Sequence, residues 1–341
     1  MIQHLIKRYK QMRSEAFLRN CYTAQYAFIG LGNHSLTNLY PVLQYLQVPL
    51  RYICVTSEKK RLLVEKKYQG VRATTSIDEI LNDKEVKAVF VATSPSSQFG
   101  IAKRVLEAGK ALFVEKPPCS SLEQLDQLIA AAKEHHVGIT CVGLQKRYAP
   151  AVVQLCKALK GEKIINYDLH YQTGLYPEGN ALLDLYIHPL DLVTHLFGSA
   201  TIVAQKQLDN QSLMLMLQHK DVAGTLELST NYSWLQANES LHVCTNSHVY
   251  DLEQMETLTQ TGKQSSLFGV PMEKVHPTVP QTRILFSRNN FTPVLANNQI
   301  YTQGFFGEVK SFVDAVEHGS KGILTSLSDV RKTFEVLFAI S

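Results

Sequence analysis

From Tyr26 to Val142, short apolar runs alternate with stretches of helical spacing, and this alternation limits the possible folds more than any other feature of the chain. The runs are Tyr26–Ile29, Leu50–Val55, Val86–Thr93, Ala111–Val114 and Gly138–Val142. Between them lie Leu36–Gln47, a segment entered at Ser76 with Glu79 three residues on and ending at Leu81, Phe99–Ala108 and Leu122–His136. Ser76 is the expected N-cap of its helix. A run that is apolar throughout, such as Val86–Thr93, must be covered on both faces. Joined by helices, such runs predict a parallel sheet with right-handed crossovers.

The first run flows into Gly30-Leu31-Gly32-Asn33-His34-Ser35 and then into a helix. Strand, glycine turn and helix in that order are the context in which a dinucleotide binds. Gly30 permits the tight turn and Gly32 lets a pyrophosphate approach the backbone. The N–H groups of Asn33 and His34 then point at the phosphates from a helix N-terminus. Ser35 replaces a third glycine and is small enough for helix–strand packing. The second run ends Thr56-Ser57-Glu58-Lys59-Lys60-Arg61. An acid at this strand end would hold the ribose diol of NAD. The Ser57 hydroxyl and the Lys59 ammonium suit a 2′-phosphate instead, which favours NADP, although Glu58 could take the acid's role.

The fourth of these runs ends Phe113-Val114-Glu115-Lys116-Pro117-Pro118. Proline donates no N–H and cannot continue a central strand, and it pushes the residue before it into extended backbone. Lys116 is therefore a cation on a stiff backbone at the C-terminal edge of a parallel sheet, where ligands bind in open α/β folds. Read alone, the segment is better taken as a strand that stops at a surface turn with Glu115 and Lys116 solvated, so its role depends on what surrounds it.

At 341 residues the chain is long for one core, and two domains are expected. No stretch approaches the ~20 apolar residues of a membrane span. The first 24 residues lack the layout of a secretory signal, so a cytoplasmic protein is expected. They carry Lys7, Arg8, Lys10, Arg13 and Arg19 against Glu15, which accounts for the whole formal net charge of +4. This arm reads as a helix from Ile2 to about Cys21, lying on the body or on a partner subunit. With no base-reading motif and no basic stripe elsewhere, it does not indicate nucleic acid. Cysteines 21, 54, 119, 141, 156 and 244 show no metal spacing and read as reduced residues.

After Gly143 the pattern changes. A helix from Lys146 to about Leu159 precedes strand-like segments at Ile164–Tyr171, Thr201–Leu208, Leu213–Gln218, Gly224–Ser229, Ser240–Cys244 and His248–Asp251. Strands in succession predict an antiparallel sheet. Residues 259–300, rich in Gln, Asn, Pro and Thr, read as long loops, and Glu308–Glu317 and Ser328 to the end as closing helices. The expected division is a basic arm over 1–24, a nucleotide domain over 25–145, and a substrate and oligomerisation domain over 146–341.

Within the second half, Asp184, His188 and Asp191 recur at spacings of four and three in a helix-like stretch. A carboxylate one turn from an imidazole can orient the ring and favour its protonated form, the arrangement of a general acid/base. Extended to His195, the same face could hold a divalent metal, but the surrounding Leu, Val and Ile and the absence of an HExxH-type signature speak against one. A purely structural Asp–His pair has the same spacing. The polar loop Gln172–Asn180, with Tyr171 and Tyr176, is the expected seat of substrate specificity.

Together Glu115-Lys116-Pro117, Lys146-Arg147-Tyr148 and Asp184-xxx-His188-xx-Asp191 resemble the motifs of the glucose–fructose oxidoreductase, inositol dehydrogenase and rhizopine-catabolism family, Gfo/Idh/MocA, from about Tyr26 to the C-terminus. The resemblance implies an N-terminal Rossmann domain and a C-terminal α/β domain on an open, mainly antiparallel sheet that commonly forms a homodimer or homotetramer. It implies hydride transfer between NAD(P) and a secondary alcohol or carbonyl of a sugar, cyclitol or related polyol; the residues themselves point to no metal, nucleic acid or membrane. Lys116 would stabilise the reacting oxygen. His188 would carry the proton and Asp184 would orient it or pass the proton on. Glu115, Thr93, Ser94 and Pro95 would line the nicotinamide side, and Arg147 would reach substrate with Lys116, Tyr176 and His188. Gln98 departs from the His that relatives often carry near this position, and Ser94 intrudes before Pro95. Some relatives hydrolyse glycosides with retained NAD and others are non-catalytic NADP-binding regulators, so both remain alternatives.

Overall fold

The computed structural model describes residues 1–19, 21–209, 211–264, 266–275, 281–289 and 298–340. Helix α1 (Ile2–Arg19) leads into β1 (Gln25–Ile29), a π-helical turn (Ser35–Leu39), α2 (Tyr40–Tyr45), β2 (Leu50–Cys54), α3 (Glu58–Lys67), β3 (Arg72–Thr74), α4 (Ile77–Asn82), β4 (Val86–Val91), α5 (Pro95–Glu107), β5 (Ala111–Glu115), α6 (Leu122–Glu134) and β6 (Thr140–Gly143). The six strands form one parallel sheet in the order β3-β2-β1-β4-β5-β6. The order reverses beside β1, and the glycine turn and the β4 tip both open there, at the crevice where such sheets take ligands. The three-residue β3 has no apolar run of its own and was not expected.

A 3-10 turn (Gln145–Tyr148) and α7 (Pro150–Ala158) begin the second half, followed by β7 (Ile164–Gln172), a second π-helical turn (Leu182–Tyr186), α8 (Ile187–Phe197), β8 (Ala200–Asp209), β9 (Ser212–His219), β10 (Ala223–Ser229), β11 (Asn238–Thr245), β12 (His248–Glu253) and β13 (Thr257–Gly262). A two-residue hairpin of β14 (Ser266–Leu267) and β15 (Val270–Pro271), then α9 (Met272–Val275), β16 (Thr282–Ser287), α10 (Gln299–Thr302), α11 (Phe305–His318) and α12 (Arg331–Ala339) complete the chain. Eight strands pair in the order β16-β13-β12-β11-β7-β10-β9-β8, all antiparallel except β7 with β10. One face of this sheet is packed, with Tyr167, Leu169, Leu226 and Val243 buried. The other is open, with Val203, Met214, Met216 and Ile284 exposed.

Strands β13 and β16 correct the expectation of loops over 259–300. Only Leu258 of β13 is buried, so no apolar alternation marks it, and its place comes from the ladder that β12 offers. Residues 265, 276–280 and 290–297 of that stretch lie outside the described ones. In the arm, residues 1–13 are exposed throughout, so this part of α1 does not pack on the body, and the expectation of a partner subunit is untouched. The chain after it is fixed: Tyr22 donates to Asp314, and the Thr23 and Ala24 amides donate to Glu317.

Helix α11 crosses from the C-terminal part of the chain onto one face of the parallel sheet. Phe312 meets Phe90 and Phe113 edge-on, with ring centroids 5.2 and 5.7 Å apart, and Val309 and Val313 are fully buried beside them. These rings add to plain area burial, by about 0.5–1.5 kcal/mol per well-placed pair. Ser76 does not cap α4 with its side chain; its amide donates to Thr74 instead. Among the described residues Cys54, Cys119, Cys141, Cys156 and Cys244 form no disulfide, and burial raises Cys54 to about 11 and Cys119 to about 12, far from reactive thiolate. Among the described residues, no helix is long and apolar enough to cross a membrane, and no group of three His, Cys, Asp or Glu could hold a metal.

Candidate active site

Two cavities meet at the C-terminal edge of the parallel sheet. One, of about 700 Å³, is lined by Gly30, Gly32, Asn33 and His34 of the glycine turn, Thr93, Ser94 and Pro95 of the β4 tip, and Glu115. A Cβ on Gly30 would stand 2.0 Å from the Ala92 carbonyl oxygen at a φ of +108°, so only glycine fits. At Gly32 a Cβ would meet no protein atom, which leaves the backbone open to a ligand. Ser35 is buried, and its hydroxyl both accepts from the Gly32 amide and donates to the Gly32 carbonyl, holding the turn. The residues present therefore fit a dinucleotide.

Ser57 and Lys59 are not part of this cavity. Ser57 is the N-cap of α3 and accepts from the Lys60 amide. That cap sets the helix register, which brings Thr56 and Lys60 to the cavity and leaves Lys59 outside its lining. Glu58 pairs with Arg61 at 2.5 Å.

The second cavity, of about 740 Å³, lies between the two sheets, and His34, Lys116, Tyr176 and Asp184 line both. Lys116 leaves β5 through a cis peptide to Pro117. Gln98, which entered the sequence reading only as a departure, holds this corner. It is buried, its Oε1 accepts from the Thr93 amide at 3.2 Å, and its Nε2 donates to the carbonyls of Glu115 and, at 2.9 Å, Pro117. One side chain thus ties the β4 tip to the β5 tip. A buried glutamine beside two strand ends was the available signal. Glu115 accepts from the Lys116 amide, and its Oε1 stands 3.3 Å from His34 Nε2, close enough for charge but without hydrogen-bond alignment.

The Lys116 ammonium donates to the backbone carbonyl of Asp184 at 2.6 Å. The π turn over Leu182–Tyr186 explains why that carbonyl is available. In π register its partner would be residue 189, and Pro189 has no N–H. Burial lowers the Lys116 pKa first, nearby Glu115 and Asp184 oppose this, and Lys146 adds to it.

His188 lies on the first turn of α8, buried, and borders the second cavity. Burial, then the positive charges of Lys116 and Lys146, hold its pKa well below 6.5, so the ring is neutral at physiological pH. Its Nδ1 has no partner among the described groups. The expected Asp184–His188 pair is not formed. Asp184 Oδ2 accepts from the Asn180 amide at 3.0 Å and from the Tyr176 hydroxyl at 3.4 Å. The spacing of four presumed α-helical turns, and the wider π turn rotates the carboxylate away from the ring.

Arg147 is also corrected. It is buried, and its Nε donates to Asp191 Oδ2 at 2.9 Å and its Nη1 to the Leu324 carbonyl at 2.7 Å. Thr333 donates to the same carboxylate. This bidentate pair fastens the 3-10 turn to α8 and takes Asp191 out of the chemistry. The neighbouring Lys146 lines the substrate cavity, paired with Glu239 and 4.8 Å from the centroid of the Tyr171 ring. His195 faces Cys156, at 3.6 Å, rather than the cavity.

Residues 24–143 match the model of the oxidoreductase family with an NAD-binding Rossmann fold, Gfo/Idh/MocA. Over these residues the chain is similar to that family. Among curated relatives, the chain is 35% identical over 150 residues to the oxidoreductase YhhX of Escherichia coli K12, covering 40% of this chain and 43% of that one. It is 31% identical over 138 residues to the UDP-N-acetylglucosamine 3-dehydrogenase of Acidithiobacillus ferrooxidans, covering 38% and 42%. The matched stretch thus spans less than half the length of these relatives. Over nearly the whole length the fold is shared with solved dehydrogenase structures. A dehydrogenase from Chromobacterium violaceum superimposes with a TM-score of 0.77 at 18% identity, covering 94% of this chain and 95% of that one. Levoglucosan dehydrogenase with NADH and levoglucosan gives 0.77 at 17% identity, covering 93% and 95%.

Proposed function

We propose that the chain is an NAD(P)-dependent oxidoreductase that moves a hydride between nicotinamide and a secondary alcohol or carbonyl of a sugar, cyclitol or related polyol. The observation that carries this reading is the position of Lys116, which borders both cavities beside a neutral His188. Bound nicotinamide would supply or accept the hydride. Glu115, Thr93, Ser94 and Pro95 would hold its ring, and the glycine turn its phosphates.

In the oxidising direction His188 takes the proton from the substrate hydroxyl as the C–H bond gives up its hydride and the carbonyl forms. Lys116 holds the oxygen through the alkoxide-like stage, a charge contact made where charge develops. Burial and the two cationic neighbours keep the His188 ring unprotonated, so its site is empty for that proton, and they lower its basicity at the same time. The Asp184 carbonyl positions the lysine, while the Asp184 carboxylate shapes the Tyr176–Asn180 loop. Lys60, with Thr56, reads the adenosine ribose, and the lack of an acid among the cavity's lining there favours NADP. The solved relatives include complexes with NAD, NADH and NADP. The exposed apolar residues on the open face of the eight-stranded sheet support self-association there, as a homodimer or homotetramer. The buried, unbridged Cys54, Cys119 and Cys141 accord with a cytoplasmic setting.

The test is turnover of a panel of sugars and cyclitols by the full-length protein, with NAD and NADP offered separately. Cofactor-dependent oxidation that Lys116→Ala abolishes supports the reading. Binding of either cofactor with no net redox change for any member, or hydrolysis of glycosides instead, overturns it.

A further inference from the structure

The cavity beside Lys116 is larger than one pyranose ring fills, and its volume of about 740 Å³ falls within the range of pockets that enclose drug-sized ligands. Lys116 and His188 are only two of the many side chains that line it. Trp234 belongs to the wall of the same cavity and is the sole tryptophan of the chain. It is 54% exposed, which is unusual for so large an apolar side chain, yet it is not loose. Its indole N–H donates to the Leu175 carbonyl at 2.9 Å. Its pyrrole edge lies flush on Gly174, where a Cβ would come within 2.3 Å of Trp234 Cδ1. The Tyr232 amide donates to the Thr173 carbonyl at 2.8 Å and joins the two loops that carry these residues. The ring is thus fixed, has its polar atom satisfied, and remains exposed in the cavity.

The charges in the cavity are as informative. Lys146 is paired with Glu239, and both side chains are nearly buried. Lys116 is committed to the Asp184 carbonyl and the reacting oxygen. The wall beyond them carries Asn238, Gln254, Asn298, Gln299 and Gln303, with no charge among them. Carboxamides both donate and accept, as sugar hydroxyls do. Among the described residues of that wall a phosphate or carboxylate would find no free cation.

We infer that this end of the cavity is a second sugar subsite, so that the substrate is a neutral disaccharide or glycoside whose second ring stacks on Trp234. The C–H groups on one face of a pyranose carry slight positive charge and meet the negative face of the indole. This subsite rests on the oxidoreductase reading for its first ring but has a signal of its own, because the only tryptophan is the platform.

The experiment titrates tryptophan emission of the full chain, loaded with oxidised cofactor, with glucose, cellobiose, lactose, glucuronate and UDP-glucose. Alongside, kcat/KM is measured for the parent, Trp234→Ala, Trp234→Phe and Gly174→Ala. A saturable emission change is expected with a neutral disaccharide at concentrations about tenfold lower than with glucose. The preference for disaccharide over monosaccharide should fall about tenfold in Trp234→Ala and in Gly174→Ala, which displaces the ring, and recover in part in Trp234→Phe. An emission change without turnover sustains the subsite and removes the redox reading. Turnover of glucose with emission unmoved by either disaccharide overturns the subsite and leaves the redox reading intact. Tighter binding of glucuronate or UDP-glucose than of the neutral disaccharides also overturns it.

Discussion

The two cavities that share Lys116 are built by different means. The nucleotide side is backbone: a glycine turn, two strand tips and the open main chain at Gly32, with Gln98 and Ser35 as struts. The substrate side is side chain: Lys146, His188, Asn238 and Trp234, brought from the 3-10 turn, α8, β11 and a loop. A backbone site is fixed once the sheet forms, so its residues are found by position. A side-chain site depends on helical phase, and a small change of phase sends a neighbouring residue to the cavity instead. The corrections fall accordingly. Gly30, Gly32, Asn33, His34, Thr93, Ser94, Pro95 and Glu115 line one cavity together, while Arg147 and the Asp184–His188 pair do not behave as expected.

Removing the residue common to both sides should have the largest effect. Lys116→Ala is expected to lower kcat by about 10²–10³, the cost of losing one preorganised donor to a developing oxyanion. Cofactor affinity, measured separately by titration, should change far less. The same change removes a positive neighbour of His188, so the acid limb of the kcat/KM profile should move upward from its place below 6.5. An unmoved limb would detach His188 from the proton transfer.

Gln98→Leu tests the strut of the nucleotide side. It leaves the Thr93 amide and the Pro117 carbonyl without their partner, at about 1–3 kcal/mol for each buried group left unsatisfied. Cofactor affinity and thermal stability should fall together, by roughly tenfold and several degrees. Loss of stability with cofactor affinity intact would show that the β4 and β5 tips hold without it.

Asp184→Asn separates the two readings of the substrate side. If the carboxylate oriented His188, the loss would approach that of removing a general acid/base, about 10²–10⁴. Because it accepts from Asn180 and Tyr176 instead, the expected loss in kcat is below about tenfold, with KM carrying most of the effect through the loop. A kcat loss as large as that of His188→Ala would overturn this assignment.

The smallest effect belongs to a residue outside the lining of both cavities. Glu308 on α11 is fully buried, and neither of its oxygens has a hydrogen-bond partner among the described groups. Burial, and then the charge of Glu115, raise its pKa well above 4.5, so the folded chain keeps it protonated at pH values where the unfolded chain ionises it. The stability of that protonated state is complete below the ordinary carboxyl value and is lost as pH rises toward the folded one. Glu308→Gln removes the titration, so its Tm should gain on the parent by a few degrees between about pH 5 and pH 8. A gap that does not change with pH would show that Glu308 is ionised in the fold.

Much of this was legible because proline and glycine act on the backbone directly. Pro117 after Lys116 and Gly30 after β1 state where a strand must end whatever surrounds it. Lys146 and Arg147 are adjacent in a four-residue turn, and nothing local says which one Asp191 captures. The π turn was hidden for a similar reason. Asp184 and His188 have α spacing in sequence, and only Pro189 hinted at a carbonyl without its usual donor. Ser57, by capping α3, exchanged Lys59 for Lys60. Strand β13 had one buried residue and so no period to read.

Helix α11 carries a consequence for how the protein is made. Phe90 and Phe113 are covered by Phe312, which is encoded some two hundred residues after them. At about 5–20 residues per second, the parallel sheet would wait roughly ten to forty seconds on the ribosome with that face bare. Such a surface is a natural client for a chaperone that meets nascent chains. The nucleotide domain cut at residue 145 should accordingly be insoluble unless the α11 segment is supplied in trans.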